Sequence, residues 1–438
     1  MSADTEGLEK AAVRFSNLSS DRRISQFVLE FTFQGYLTED SAFLRRVNGA
    51  GLDTDAIRTA YPTVRDTFML SLKSFSRLYK LELLTMYVDA NVWVTLETIP
   101  TLRTLVLQNC TLSGNYAPCL KLDCFEARRF SFAGEELHLA HLDFPTIQHM
   151  VLDFSSVSQS EFTSFTHHAH LKNLTFPKLS TLQFTPPEKW IDVRKDESGM
   201  PSSARDFLRL FPNLEKLRFN GKSIPSSFTN VAIPLEIFPR LTSLSAPQNF
   251  ASAFIPGRNI RDLKLQDPPS TGLLELLQAH AIERLRSLDV TFINPLMTLS
   301  QGSEIVHLMA HSAPMLERLH LSLPEADNSS DQLENSFEKR YDISSFAEYE
   351  LDESDMSFCS FGDLLAAIVR QHPLGLLPPN LTHLELRRIP SSFQPFYPIH
   401  DEDFRAKLES LGISHLKLRN PREEKLIAVL TTEFETQT

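Results

Sequence analysis

Apolar residues recur along this chain in one motif: a proline, Leu or Ile two residues later, then further apolar positions three and five residues on. The motif stands at Pro100/Leu102, Pro145/Ile147, Pro177/Leu179, Pro212/Leu214, Pro239/Leu241, Pro314/Leu316 and Pro379/Leu381. Copies without the proline start at Ile24, Leu78, Ala127, Ile260, Leu285 and Ile413. Recurrence at intervals of a few tens of residues is the signature of stacked supersecondary units.

One copy shows the logic. In Pro212-Asn-Leu214-Glu-Lys-Leu217-Arg-Phe219 the alternation puts Leu217 and Phe219 on one face of a short strand and Lys216, Arg218 and Asn220 on the other. Proline at the strand entrance ends whatever helix precedes it and gives up no ladder donor there. Upstream, Ser203 to Phe211 carries apolar residues at helical spacing behind a serine cap. The same pattern predicts helices over Thr63 to Phe75, Ser270 to Ala281, Ser303 to His311, Phe361 to Arg370 and Asp401 to Leu411, and a last helix opened by Asn420 and Pro421. A lone strand and helix bury too little, so neighbouring units must stack. The expected architecture is an α/β solenoid, curved, with parallel strands on its concave face and helices on its convex face. Residues 24–430 form it, 1–23 are an N-terminal cap or tail, and 431–438 are a C-terminal tail.

Leu102-Arg-Thr-Leu105-Val-Leu107-Gln-Asn-Cys110-Thr-Leu112 fits L-x-x-L-x-L-x-x-N/C-x-L at every specified position, and on it the chain resembles leucine-rich-repeat proteins. Other copies depart from the consensus, with Met86 or Lys222 where Asn or Cys is expected. The Phe-Pro-x-Leu entrances after Phe144, Phe176, Phe211 and Phe238 are similar to the divergent repeats of fungal F-box/leucine-rich-repeat proteins. That resemblance implies a substrate receptor of a cullin-RING ubiquitin ligase, in which the repeats recognise a protein and partners do the chemistry. The alternative is a free-standing repeat scaffold or structural protein. A Leu-Pro-x-Glu F-box motif is not recognisable, so the sequence reads as an F-box-less relative or as one whose F-box lies upstream of Met1.

Composition changes this picture in two places. The formal charge is −12 over 438 residues, which argues against a general nucleic-acid binder. However, 325–355 alone holds eleven acidic and two basic residues, a local charge of −9 that leaves −3 for the rest of the chain. A stretch so acidic and so long without a repeat signal predicts a disordered insertion over 325–357, able to fold Glu348 to Asp355 across a basic surface as a competitor for ligand. Glycine is scarce at 14 residues, and four cysteines in a chain this long make no disulfide framework. No apolar run approaches the length of a membrane helix and Met1 to Lys10 carries no signal core, so an intracellular protein, cytoplasmic or nuclear, without membrane contact is expected.

Catalytic motifs are absent. Gly221-Lys-Ser223 ends like a Walker A loop, but five residues before Gly221 stands Lys216 instead of glycine; Gly49-Ala-Gly51 lacks a third glycine. His167-His168-Ala-His170 has no carboxylate or cysteine at ligand spacing. The sequence therefore predicts no catalytic residues, no cofactor and no metal, and a protein that works by binding. Outward strand positions near the N-terminal end are mixed: Lys80, Glu82, Thr104, Val106, Gln108, His149 and Asp153. Later ones lean basic: Lys216, Arg218, Lys264, Arg318, His320, His383, Arg387, His415, Lys417 and Arg419. These ten form the expected partner-binding face, suited to an acidic protein segment, because a concave face of one sign focuses the field.

Overall fold

The computed structural model describes residues 5–35, 54–113, 120–133, 146–158, 160–162, 175–187, 207–221, 233–266, 273, 275–277, 282–291, 308–324, 378, 380–389, 415–419 and 426–431. The chain divides into two compact units, Met1–Leu241 and Thr242–Thr438.

The first unit opens with helix α1 (Thr5–Ser20) and a short helix α2 (Arg22–Ser25), followed by strand β1 (Glu30–Gln34) and helix α3 (Thr54–Leu72). Then come β2 (Lys80–Leu84), β3 (Tyr87–Val88), helix α4 (Ala90–Glu97), β4 (Thr104–Gln108), β5 (Thr111–Ser113), β6 (Cys124–Arg128) and β7 (Ser131–Ala133). The unit closes with β8 (His149–Asp153), β9 (Thr181–Thr185) and β10 (Lys216–Phe219). Strands β1, β2, β4, β6, β8, β9 and β10 pair in that order, all parallel and without register shift. A second, small sheet runs β3, β5, β7. It exists because Thr85, Asn109 and Arg129 each adopt a left-handed turn (φ 53°, 53° and 50°) just after their strands, so the chain rounds a corner at the same place in three successive repeats.

The second unit contains β11 (Ser243–Pro247), helix α5 (Gln248–Phe254), β12 (Asp262–Gln266), β13 (Ser287–Thr291), β14 (Arg318–Pro324), β15 (His383–Ile389), β16 (His415–Arg419) and β17 (Leu426–Thr431). Strands β11 to β16 form a parallel ladder in sequence order, and β17 turns back antiparallel on β16. Parallel strands one repeat apart, their inward residues buried along the ladder, make the fold an α/β leucine-rich-repeat solenoid.

Local chemistry explains the motif. At each entrance the carbonyl three residues before the first Leu accepts its N–H: Phe176 from Leu179, Phe211 from Leu214, Phe238 from Leu241. Proline thus sits second in a four-residue turn, where its fixed φ fits. The polar residue after proline ties the repeat to its predecessor: Thr101 Oγ1 donates to Leu78 O at 2.8 Å, Thr146 Oγ1 to Leu122 O at 2.6 Å, and Asn213 Nδ2 to Pro177 O at 2.8 Å. One carbonyl per rung then accepts two N–H groups from the next strand, as Asp123 O does from Gln148 and His149.

Inward residues fill the core. Leu81, Leu105, Phe125, Met150, Leu182 and Leu217 stack in one row, and Leu83, Leu107, Ala127, Leu152, Phe184 and Phe219 in the next. Where an asparagine ladder would stand, Met86, Cys110 and Phe130 are buried instead. Phenylalanines carry the stack onward, with ring centroids 5.0 Å apart for Phe130 and Phe154, 5.7 Å for Phe154 and Phe184, and 5.0 Å for Phe184 and Phe207.

Eleven of the thirteen expected strand starts lie in the expected register, and two do not. The strand expected from Ile24 lies four residues later, because Asp21 accepts a hydrogen bond from Arg23 N and caps α2 over those positions. Ile24, Phe27 and Leu29 are 47%, 66% and 45% exposed, whereas Phe33 is 2% exposed. The copy expected from Ala127 starts at Leu122: Phe125 and Ala127 are the strand's inward pair, and Phe130 and Phe132 belong to the corner that follows. The motif repeats its own spacing across that corner, which is why both frames fit the sequence. Helix α3 begins nine residues before the expected Thr63 and carries Pro62 inside it. At the C-terminal end, residues 426–431 are strand β17 where a helix was expected, in keeping with the β-branched Ile427, Val429 and Thr431. The insertion 325–357 and the candidate helices 361–370 and 401–411 lie outside the described residues.

Candidate functional site

The strand positions opposite the core are the surface on which the ladder can present chemistry, and register converts them into rows. In the second unit the first row reads Asp262, Ser287, Arg318, His383, His415; the second Lys264, Asp289, His320, Glu385, Lys417; the third Gln266, Thr291, Ser322, Arg387, Arg419. Eight of the ten expected binding residues therefore fall on four of the five rungs β12 to β16 of one ladder. Lys216 and Arg218 lie on β10 of the first unit, both exposed, with Arg218 Nε donating to Asn220 Oδ1 at 3.1 Å.

Acid is interleaved with this base. Lys264 Nζ pairs with Asp289 on the adjacent strand, and Arg318 Nη2 lies 3.4 Å from Asp262 Oδ1, two strands away. Thr382 Oγ1 and His383 Nδ1 are 2.8 Å apart. The fifteen row positions hold five Lys or Arg and three Asp or Glu, so the excess is +2, and the third row holds two arginines and no acidic residue. Asp289 was not visible as a partner from the motif alone; it takes the strand register to set it beside Lys264.

The first unit holds a second cluster that the sequence reading passed over. Cys124 on β6 stands opposite His149 on β8, and Glu126 lies two residues along on the same face. One ligand atom from each of the three lies within 4.8 Å of the others. Cys124 Sγ is 3.8 Å from Glu126 Oε1, while Arg128 Nη2 holds Glu126 Oε2 at 2.6 Å. All three residues are half-buried. Burial first, and the Glu126 charge second, push the Cys124 thiol up to about 11. Along the chain Cys110, Cys119 and Cys124 match no zinc spacing; the ladder instead joins residues one repeat apart. His167, His168 and His170 lie outside the described residues, as does Lys222 beside Gly221. Among the described residues no helix is long and apolar enough to cross a membrane.

No family model matches this sequence, and no curated protein matches it. Among solved structures the chain is similar to TLR13 in complex with ssRNA13, at 17% identity over 72% of this chain and 42% of that one, with a TM-score of 0.35. It is also similar to the Drosophila Toll–Spatzle complex (16% identity, 73% and 49% covered, TM-score 0.26) and to the plant peptide hormone receptor RGFR1 with RGF2 (13% identity, 72% and 49% covered, TM-score 0.19). The chain spans less than half the length of each of these chains. At such scores the repeat fold is carried by the strand register, not by the likeness.

Proposed function

We propose that this chain is a protein-interaction module and that the outer rows of β12 to β16 bind an acidic segment of a partner protein. The observation that carries the reading is the charge order on those rows, in which base exceeds acid and Arg387 and Arg419 share a row without a carboxylate. The two ion pairs on the same surface do not oppose it. Exposed pairs are worth about 0–1 kcal/mol, so an incoming carboxylate can exchange with the half-exposed Asp262 at little cost, while Asp289 sits deeper, its side chain 23% exposed. Lys216 and Arg218 add two basic side chains on β10 of the first unit.

The finer reading, a substrate receptor of a cullin-RING ubiquitin ligase, is supported by the sequence resemblance to F-box/leucine-rich-repeat proteins. In that role the repeats capture the substrate and the adaptor engages elsewhere. Co-purification of the cullin adaptor with the full chain supports it; its absence leaves the free-standing scaffold.

Titration of the full chain with a fluorescent polyglutamate peptide at low salt tests the acidic-segment reading. Saturable binding that weakens as salt rises and is reduced in Arg318→Ser supports it. No binding at low salt, or binding to a single-stranded RNA probe in preference to the peptide, overturns it.

A further inference from the structure

We propose that Cys124, Glu126 and His149 form a binding site for a thiophilic divalent cation, with zinc as the natural occupant. The site is built by the ladder. Adjacent parallel strands stand about 4.7–4.9 Å apart, so residues in register on the outer face are brought to ligand distance without any loop having to close. Cys124 and His149 are such a pair, and Glu126 supplies the third donor from the next outward position of β6.

Distances fit a tetrahedral ion. Zinc bonds of about 2.3 Å to sulfur and about 2.1 Å to a carboxylate oxygen place those two atoms roughly 3.6 Å apart, and Cys124 Sγ and Glu126 Oε1 are separated by 3.8 Å. All three donor atoms lie within 4.8 Å, so adjustments of about an ångström, within side-chain rotation, complete the set. Arg128 takes the carboxylate oxygen that faces away from the thiol, which orients Glu126 as outer partners orient metal ligands. Thr104 and Thr181 flank the pair in the same row, so no charged side chain directly adjoins Cys124 or His149 along it.

Donor chemistry selects the ion. A thiolate, an imidazole and one carboxylate suit zinc and disfavour magnesium and calcium, which take all-oxygen sets. Arg128 and, one strand further off, Lys80 oppose a cation; the thiolate and the carboxylate offset them. Three protein ligands leave a fourth tetrahedral position on the outer face, open to water or to a donor from a bound protein. The site stands on the first unit alone and does not depend on the basic rows of the second.

Cobalt is the probe. Co²⁺ titrated without oxygen into the chelator-treated, reduced full chain is expected to give a tetrahedral ligand-field spectrum with a thiolate-to-cobalt charge-transfer band. That band should saturate near one equivalent and be displaced by Zn²⁺. Cys124→Ser should abolish the charge-transfer band, and His149→Gln should weaken Co²⁺ at least about tenfold, with Cys359→Ser as the control that retains both. Far-UV circular dichroism establishes that each variant is folded. A charge-transfer band that persists in Cys124→Ser, unchanged affinity in folded His149→Gln, or no saturable band in the folded parent chain would overturn the assignment.

Discussion

Arg318 on β14 reaches past β13 to Asp262 on β12, its Nη2 3.4 Å from Oδ1, across the small Ser287 that stands between them in register. Both side chains are about half exposed, so the contact arranges charge more than it adds stability. Asp262→Asn is therefore expected to leave the melting temperature almost unchanged and to strengthen polyglutamate binding up to about fivefold, the equivalent of roughly 1 kcal/mol. Titration at low salt reads the effect, and weaker binding in Asp262→Asn would contradict it.

The charge of 325–355, eleven acidic and two basic residues, suits it as a competitor for the same basic rows. If Glu348 to Asp355 competes for the basic rows, deleting 325–355 raises low-salt affinity for the acidic peptide. Unchanged affinity sinks the competition.

Phe33 is stacked on Phe68 with centroids 3.9 Å apart, whereas Phe27, six residues earlier, is 66% exposed. Phe33→Ala should cost about 3–5 kcal/mol through the cavity it leaves, and Phe27→Ser less than about 0.5 kcal/mol. Chemical denaturation of the two variants distinguishes the frame starting at Ile24 from the one starting four residues later, because the first frame demands the reverse order.

On β10, Leu217 is buried and Lys216 exposed. Leu217→Asp places an unpaired charge in the core and should lower stability by more than about 3 kcal/mol, while Lys216→Asp stays within about 0.5 kcal/mol. Equal melting of the two would refute the register of the repeat.

Tyr79 Oη donates to Glu30 Oε1 at 2.8 Å, and Lys80 Nζ lies 3.4 Å from the other oxygen. The tyrosine hydrogen bond, then Lys80, hold the Glu30 carboxyl below its ordinary value, and Glu30 in turn raises both partners. A lowered carboxyl adds stability above its unfolded pKa, about 4.3, and that stability is lost as pH falls through the lower folded value. Raised Tyr79 and Lys80 add stability below about pH 10, which is lost as pH rises through their folded values. The melting difference between the parent and Glu30→Gln should thus be widest between about pH 5 and 9 and shrink at both ends. A difference that stays flat from acid to alkali would contradict the linkage.

The repeat was legible because burial forces it: Leu217 and Phe219 must alternate with Lys216 and Arg218 if one face is core. Where two frames satisfied the same rule, around Ala127, the pairing of Leu105 with Phe125 and of Leu107 with Ala127, and the hydrogen bond from Thr146 Oγ1 to Leu122 O, show which residue opens the repeat. The short helix at Arg22–Ser25 was hidden for a related reason, since Asp21 acts through a local cap that outweighs a hydrophobic pattern. The basic face could be read as a set of residues, yet its pairing with Asp262 and Asp289 depends on distances across strands that no linear spacing encodes. The same is true of Cys124 and His149, one repeat apart and unrelated in sequence.

Strict register gives the first unit one more property. Seven parallel rungs separated by about 4.8 Å make a graduated edge roughly 29 Å long. A peptide laid across it in extended form presents side chains on one face every 6.6–6.8 Å or so, and a helix turns every 5.4 Å. Neither step equals the rung spacing, so such a ligand passes in and out of phase with the rows as it crosses. For any ligand that crosses such rungs, selectivity would turn on where along the graduation the two scales coincide, as on a vernier, and single substitutions at the coincident rungs would outweigh equal changes elsewhere.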